Sequence, residues 1–159
     1  MTLAPGVSDD VGFRAVYADH FVPLVRLAYV TTGGWPAAED LVQDVFVDLY
    51  RRRDSVTDPV AWLRHATVNR CTSWVRRRIV ERRHHRTEQP GVVTPAGADA
   101  VAVRAALARL RPRHRAAVFL RYYLDLSEAE IAAALGCRPG TVKSLLHRGL
   151  AVLKEQLDV

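Results

Sequence analysis

Proline and glycine divide this chain into segments whose apolar residues recur at helical spacing, and no segment shows sustained alternation of apolar and polar residues. Helix-start signals stand at the heads of three segments: the run Ser8-Asp9-Asp10, Pro36 and the pair Asp58-Pro59. The first segment ends at Gly33-Gly34 and contains Pro23, where we expect an interruption or a kink. The pattern therefore predicts an all-α protein.

One stretch lacks apolar periodicity altogether. Residues 88–100, EQPGVVTPAGADA, include two prolines and two glycines, which is typical of a flexible or extended connector. The chain of 159 residues is therefore expected to form two small helical modules, at 9–86 and 101–157, joined by a flexible linker at 87–100. Modules of this size bury only about 60% of their unfolded surface, so each would be marginally stable alone.

Charge is distributed unevenly along the chain, whose net charge is +6. Residues 9–58 contain nine acids and five arginines, whereas residues 64–86 contain eight arginines and one acid. Residues 104–121 add six arginines and no acid. Basic stretches beside helical motifs are the expected footprint of a phosphate-backbone partner, so nucleic acid is the leading candidate.

Other classes of protein are disfavoured by the same sequence. The first residues, MTLAPGVSDD, lack the basic and apolar regions of a signal peptide, and no run approaches the roughly 20 apolar residues of a membrane span. We therefore expect a cytoplasmic protein without membrane insertion. Cys71 and Cys137 lie far apart with no ligand-like neighbours, so we expect core residues rather than a disulfide or a zinc site.

The most specific local pattern is LSEAEIAAALGCRPGTVKSLLHRGLAVLK, residues 126–154. Ser127 and Glu130 have the spacing of a capping box, Gly136 permits a tight turn, and Pro139 suits the start of a second helix. The pattern predicts a helix-turn-helix, although a hairpin of two helices with solvated charges has the same periodicity. In such motifs the second helix enters the major groove, so its candidate contacts are Arg138, Thr141, Lys143, Ser144, His147 and Arg148.

A second pattern places acids along one helix beside an apolar stripe at positions 41, 42, 45, 46, 49 and 50. Asp40, Asp44 and Asp48 recur every four residues, and like charges at that spacing cost about 0.2–0.5 kcal/mol per pair on an isolated helix. Either the row is a solvated face whose repulsion is tolerated, or its negative charge complements a basic partner.

A third pattern, WLRHATVNRCTSWVRRR at residues 62–78, combines phosphate-binding charge, an amide and aromatic rings. The burial tendency of tryptophan predicts that Trp62 and Trp74 lie in the core or at its rim. Asn69 is either satisfied structurally or able to capture an extruded base, and the spacing alone leaves both open. The candidate DNA contacts on this helix are Arg64, Asn69, Arg70, Ser73, Arg76 and Arg77.

No catalytic pattern accompanies these features. The six histidines form neither HExxH nor a Cys/His set, and the chain has no GxSxG, Walker or GxGxxG motif. His84-His85 lies among arginines and is interpreted as the basic start of the linker. We expect no enzyme, no metal site and no cofactor.

In this order, the segments resemble a bacterial RNA polymerase sigma factor of the sigma-70 family, of the small extracytoplasmic-function type, from about Phe13 to Leu157. Residues 38–46, AEDLVQDVF, resemble region 2.2, and Trp62-Leu63 with Asn69 resemble regions 2.3 and 2.4. Residues 110–122 and 126–148 resemble region 4. The resemblance implies docking on the clamp helices of core RNA polymerase by Asp40, Gln43, Asp44 and Asp48.

The same resemblance implies that the first module opens the −10 element and holds a flipped base, while the second binds the polymerase flap and recognises the −35 element. It also makes an anti-sigma factor a plausible partner. Three positions depart from the family pattern: Ser73 replaces Asp or Asn, Leu145 replaces Arg and Gly149 replaces Ala. We expect Leu145 to remove a DNA contact and Gly149 to loosen its helix by about 1 kcal/mol.

Two alternatives remain at this point. A stand-alone helix-turn-helix regulator would use the first module for dimerisation or sensing, but it leaves the acidic helix and the Trp/Arg/Asn helix unexplained. A nucleic-acid-modifying enzyme would dock through the second module, but it lacks a catalytic set. Dependence on core polymerase for promoter binding discriminates the sigma factor from both.

Overall fold

The computed structural model describes residues 9–84 and 97–157, and within these ranges it contains helices and no strand. The all-α prediction is confirmed. The helices are α1 Asp10–Thr32, α2 Trp35–Arg52, α3 Pro59–His84, α4 Ala98–Ala108, α5 Pro112–Tyr122, α6 Glu128–Leu135 and α7 Pro139–Leu157.

The predicted helix ends form as their capping chemistry requires. An Asp9 carboxylate oxygen accepts a hydrogen bond from the Gly12 amide at 2.7 Å, and Gly33 ends α1 with a φ of +85°. However, α1 continues through Pro23, so the proline does not interrupt it. Phe21 before the proline and Leu24 after it both pack against the core, and this packing compensates the lost backbone hydrogen bond.

The first module, α1–α3, encloses a core built on the apolar stripe of α2. Val42, Val45 and Leu49 are completely buried, as the periodicity predicted. Tyr50, assigned to the same stripe, is instead 40% exposed, because it lies at the margin of the core, where its ring meets the edge of Phe13. Trp62 and Trp74 are partly buried against the core, which confirms their predicted placement.

The second module, α4–α7, is centred on Leu120, Ile131 and Val142, all fully buried. Its first helix begins at Ala98, within the predicted linker, because Gly97 starts the helix and Asp99 favours its positive N-terminal end. The rest of that linker up to residue 96 lies outside the described residues. Cys71 is buried, which raises the pKa of its thiol to about 12, and Cys137 is partly buried.

The two modules pack against each other, which the sequence did not predict. Helix α1 contacts α4 and α5, while α3 contacts α5 and α6. At the centre of this contact, the Arg115 guanidinium donates to the carbonyls of Val30 and Thr31 at 2.9 and 2.7 Å. It also donates to those of Ala108 and Leu110 at 3.2 and 2.8 Å.

Arg115 thus places a positive charge where the carbonyl ends of α1 and α4 meet. Burial lowers the pKa of Arg115 from its usual value, since desolvation disfavours the charged form. No helix within the described part of the chain has the length and apolarity needed to cross a bilayer.

Candidate nucleic-acid interface

The acidic row, Asp40, Asp44 and Asp48, lies on the face of α2 opposite the core. Asp40, Asp44 and the neighbouring Gln43 are exposed, whereas Asp48 is half-buried. Leu41, Val45 and Leu49 fill the opposite face. The buried stripe therefore determines which way the acids point.

Part of the negative charge of this row is neutralised from within the chain. Arg70 on α3 donates a hydrogen bond to Asp48, and its guanidinium lies 3.8 Å from a carboxylate oxygen of Asp44. Arg70 was predicted to contact DNA, but here it joins the acidic row to α3. The repulsion expected between Asp44 and Asp48 is therefore reduced by an internal cation.

The remaining DNA candidates of α3 share an exposed face. Asn69, Ser73, Arg76 and Arg77 follow one another at helical spacing and are exposed. Arg64 lies apart from them, half-buried and close enough to His20 of α1 to affect its titration. Burial lowers the pKa of His20, with a further decrease from Arg64 and a smaller opposing effect from Asp19.

Asn69 is oriented by a residue that the sequence analysis did not single out. Its amide nitrogen lies 3.0 Å from Nε2 of His65, and Nδ1 of His65 lies 3.0 Å from the carbonyl oxygen of Ala134 in α6. A carbonyl only accepts, so Nδ1 donates, and Nε2 of the neutral ring accepts from the amide. The four-residue spacing of His65 and Asn69 on α3 was the only sequence signal for this pair.

The helix-turn-helix forms as predicted. The Ser127 hydroxyl accepts from the Glu130 amide and the Glu130 carboxylate accepts from the Ser127 amide, both at 3.1 Å. Gly136 makes the turn with a φ of +65°, and a Cβ there would lie 3.1 Å from the His65 ring. Glycine is therefore required at this position by both the backbone and the neighbouring module.

The second helix of the motif, α7, presents its candidate contacts to solvent. The exposed set is Arg138, Thr141, Lys143, Ser144, His147 and Arg148. Lys143 is only loosely engaged, with its ammonium 3.9 Å from a carboxylate oxygen of Glu128. The Ser144 hydroxyl donates to the Gly140 carbonyl at 3.4 Å. Five of these side chains lie on α7, and Arg138 directly precedes the helix.

Arg148 also lines a cavity of about 510 Å³ between α7 and the junction of α4 and α5. Arg109, Arg111 and His114 share this cavity with it. Burial lowers the pKa of His114, and Arg111, Arg148 and Arg113 lower it further, which indicates an uncompensated positive environment. The basic surface of the second module thus extends beyond the recognition helix, to Arg109 and Arg111 at the junction of α4 and α5.

The two departures on α7 have structural explanations. Leu145 is 9% exposed and belongs to the core, so its side chain serves packing. Gly149 is buried where α7 crosses α5, and a Cβ there would lie 2.9 Å from a methyl carbon of Val118. Beyond its low helix propensity, Gly149 therefore has a packing role, because the missing side chain allows α7 to approach α5 closely.

Among residues 9–84 and 97–157, no group of three or more histidine, cysteine, aspartate or glutamate side chains is placed to hold a metal ion. The candidate polar side chains lie in three sets at the surface: the acidic row, the exposed face of α3 and the recognition helix.

Two family models match the chain, one in each module. Residues 16–79 match Sigma-70 region 2, and residues 100–153 match Sigma-70, region 4. The first match includes the acidic row and the exposed face of α3. The second includes the complete helix-turn-helix.

Curated proteins of the same length class are similar over most of the chain. The RNA polymerase sigma-E factor of Streptomyces avermitilis is 40% identical over 129 residues, covering 76% of this chain and 71% of that protein. The ECF RNA polymerase sigma factor SigL of Mycobacterium tuberculosis is 35% identical over 163 residues, covering 91% of this chain and 88% of that protein.

Solved structures share the arrangement of helices. The sigma factor RpoE from Bartonella quintana, in complex with the anti-sigma factor NepR, matches with a TM-score of 0.79 and 28% identity, over 92% of this chain and 97% of that chain. CnrH, in complex with the cytosolic domain of CnrY, matches with a TM-score of 0.74 and 25% identity, over 96% of this chain and 92% of that chain.

Proposed function

Because the chain belongs to the extracytoplasmic-function group of the sigma-70 family, we propose a role for each of its exposed polar surfaces in promoter recognition. As a sigma factor, the protein binds core RNA polymerase and directs transcription initiation at promoters. We assign polymerase docking and −10 recognition to the first module, at 9–86, and −35 recognition to the second, at 101–157, with 87–100 as the connection.

One observation carries this assignment: the chain combines an exposed helix-turn-helix with a separate module bearing an acidic row and an amide-bearing basic helix. A stand-alone regulator needs only the helix-turn-helix, so it leaves the acidic row and the basic helix of the first module without a function. The proposal gives the chain no catalytic step of its own. It also places the protein in the cytoplasm, where bacterial polymerase works.

We propose that Asp40, Gln43, Asp44 and Asp48 dock on a basic surface of core polymerase. They line one outward face of α2, and their carboxylates complement arginine and lysine. Within the described residues, Asp40 has no oppositely charged partner and Asp44 has only Arg70, at 3.8 Å. Lysine and arginine side chains of polymerase would neutralise these carboxylates. Charge complementarity of this kind raises the association rate and determines the orientation of docking.

For the −10 element, we propose capture of an extruded base by Asn69, with phosphate contacts from Arg64, Arg70, Arg76 and Arg77 and a polar contact from Ser73. The Asn69 side chain is exposed, and its oxygen has no hydrogen-bond partner among the described residues. An asparagine amide offers both donor and acceptor to a base edge. Extrusion separates the strands locally, which links capture of the base to promoter opening.

For the −35 element, we propose that α7 enters the major groove and uses Arg138, Thr141, Lys143, Ser144, His147 and Arg148. These side chains are exposed: five lie on the second helix of the motif, the helix that reads bases in this class of domain, and Arg138 directly precedes it. The arginines lining the cavity beside Arg148 extend the positive surface toward the DNA backbone.

The packed arrangement of the modules bears on when these contacts form. The Asn69 amide lies two hydrogen bonds from the helix-turn-helix, through His65 to Ala134. The −35 and −10 elements are separate stretches of the promoter, so the two modules must reach two places along the DNA. We propose that the packed form precedes promoter engagement and that polymerase binding separates the modules.

An anti-sigma factor is a further proposed partner. The similar structures of RpoE and CnrH are both complexes, with the anti-sigma factor NepR and with the cytosolic domain of CnrY. A protein that binds the packed form more tightly than the separated form would reduce transcription, because it shifts the equilibrium toward the packed form.

The decisive experiment is run-off transcription and promoter opening with purified bacterial core polymerase, with and without this protein, on a library of −35 and −10 sequences. Specific initiation only in its presence is expected, and the selected sequences define both elements. Specific duplex binding by the protein alone, with no stable association with polymerase, would instead support the regulator. Strand cleavage or modification without polymerase would support the enzyme.

The role of Asn69 is tested by Asn69→Ala. We expect a loss of about ten-fold in the rate of promoter opening, because the base loses a hydrogen-bond partner, with little change in affinity for core polymerase. Permanganate reactivity of unpaired thymines measures opening, and fluorescence anisotropy measures polymerase binding. Equal losses in both measurements would contradict the assignment.

A further inference from the structure

Arg70 connects two surfaces to which the proposed function gives different partners. Its guanidinium bonds to Asp48 and approaches Asp44, two members of the polymerase-docking set. The pair is partly shielded from solvent, with side chains 39% exposed for Arg70 and 29% for Asp48. A half-buried ion pair is worth more than a fully exposed one, which contributes little.

Arg70 also belongs to the DNA-facing side of α3. It lies three residues before Ser73 and seven before Arg77, so the three positions fall on one side of the helix. Its neighbour in sequence is Asn69, the proposed base-capturing residue. Guanidinium groups bind phosphate oxygens with the same paired geometry that they use for carboxylates.

We propose that Arg70 is exchanged between these two surfaces. In the unbound protein Asp44 and Asp48 hold its guanidinium; when cations of core polymerase bind these carboxylates, Arg70 is released and contacts a phosphate of the −10 strand. Two cations competing for the same carboxylates repel each other, so each weakens the binding of the other. The inference rests on the proposed function and adds a regulatory step to it.

The exchange makes polymerase docking and −10 strand binding mutually favourable. By thermodynamic linkage, if polymerase binding raises the affinity for the strand by some factor, strand binding raises the affinity for polymerase by the same factor. It also explains why a candidate DNA contact is paired with acids in the unbound protein: single-stranded DNA then competes poorly for Arg70 until polymerase is present.

The first test uses the full-length protein without polymerase and a fluorescein-labelled oligothymidylate. In the double variant Asp44→Asn/Asp48→Asn, Arg70 is free, so we expect about five-fold tighter binding and a salt dependence steeper by about 0.7, corresponding to one further phosphate contact. Adding Arg70→Gln to the double variant should abolish both gains.

The control is Glu39→Gln/Asp54→Asn, which removes the same amount of negative charge at exposed positions with no bond to Arg70. Its gain in strand binding measures the effect of net charge alone. A gain in the Asp44/Asp48 double variant no larger than in this control, or one that persists after Arg70→Gln, would overturn the exchange.

The second test uses Arg70→Gln in complex with core polymerase. With polymerase but no DNA, we expect about three-fold tighter binding, because the acids have lost their internal competitor. If Arg70 merely positions the acids, the same variant would bind polymerase more weakly. Unchanged or weaker binding of polymerase would therefore contradict the exchange.

The two proposals fail in distinguishable ways. With the holoenzyme, Arg70→Gln should weaken binding of the −10 strand by about five-fold, because a phosphate contact is lost. No change there would remove Arg70 from the −10 contacts and so revise the proposed function. A loss there without the gain in the unbound double variant would keep the −10 assignment and reject the exchange alone.

Discussion

The effect of Gly149 on stability depends on its neighbours in the folded protein. In isolation, glycine inside a helix is a weak helix former and would be improved by alanine. In the folded protein, however, α7 crosses α5 so closely at this residue that an added Cβ would lie 2.9 Å from Val118. Val118 is buried, with 7% of its surface exposed, and cannot move out into solvent.

We therefore predict that Gly149→Ala destabilises the protein. The gain in helix propensity of about 1 kcal/mol is exceeded by an overpacking cost of about 2 kcal/mol, for a net loss of about 1 kcal/mol. Urea-induced unfolding followed by circular dichroism measures this change. Adding Val118→Ala should give a positive coupling energy in a double-mutant cycle, because it creates room for the new methyl group.

The matched control is Gly140→Ala in the first turn of the same helix. No atom lies within 4 Å of a Cβ built at Gly140, so this variant should retain or raise the free energy of unfolding. A stability of Gly149→Ala equal to or above that of the parent would show that α5 and α7 adjust without cost.

At the scale of an element, the recognition helix α7 has one face devoted to the core and the other to solvent. Val142, Leu145 and Leu146 bury the first face, and this packing orients the second. Lys143 lies on the solvent face with its side chain 71% exposed, near Glu128 of the preceding helix. An exposed pair at 3.9 Å is weak, so Lys143 is free to exchange Glu128 for DNA.

We predict that Lys143→Ala weakens −35 recognition by the holoenzyme about ten-fold and reduces discrimination among −35 sequences. Competition between promoter variants in a gel-shift assay measures the effect. Lys154→Ala is the control, because Lys154 is the only other lysine in the chain and lies near the end of the same helix. Unchanged discrimination in Lys143→Ala would remove this residue from the base-reading set.

At the scale of the whole molecule, polar contacts hold the two modules together alongside the apolar packing. Arg115 donates to carbonyls of both α1 and the α4–α5 junction. Arg104 donates to the Tyr29 hydroxyl at 3.0 Å, and His65 bonds to Ala134. Directional contacts of this kind define one packed geometry but are replaced by water when the modules separate.

We predict that Arg115→Met favours separation of the modules by about 3 kcal/mol, because several carbonyls lose a charged donor. Distances between fluorophores on α2 and α7 should increase in the unbound protein, while the helical content by circular dichroism stays the same.

Arg109→Met is the control, since the bond from Arg109 to Gln156 lies within the second module. An unchanged distance distribution for Arg115→Met would show that the other contacts between the modules maintain the closed form without Arg115. A distance increase of equal size in Arg109→Met would show that the effect is not specific to the contact between modules.

The sequence by itself determined that the protein is helical, and it determined most of the helix ends and most of the buried faces. These depend on interactions within a few residues, such as the Ser127–Glu130 capping box, the turn at Gly136 and the apolar stripe of α2. The same local patterns identified the exposed reading helix and, through the resemblance, the family. The sequence also contained Asn69 and the acidic row, but it left open what each contacts.

Tertiary structure decided those contacts because they join residues distant along the chain. Arg70 meets Asp48, His65 meets Ala134, and Arg115 meets Val30 only after the helices pack. Helix propensity and apolar periodicity do not specify such pairs. A charged or hydrogen-bonding side chain can bind many partners, and the fold determines which one it meets. The packing role of Gly149 was not visible in the sequence for the same reason, because the residue that it approaches comes from another helix.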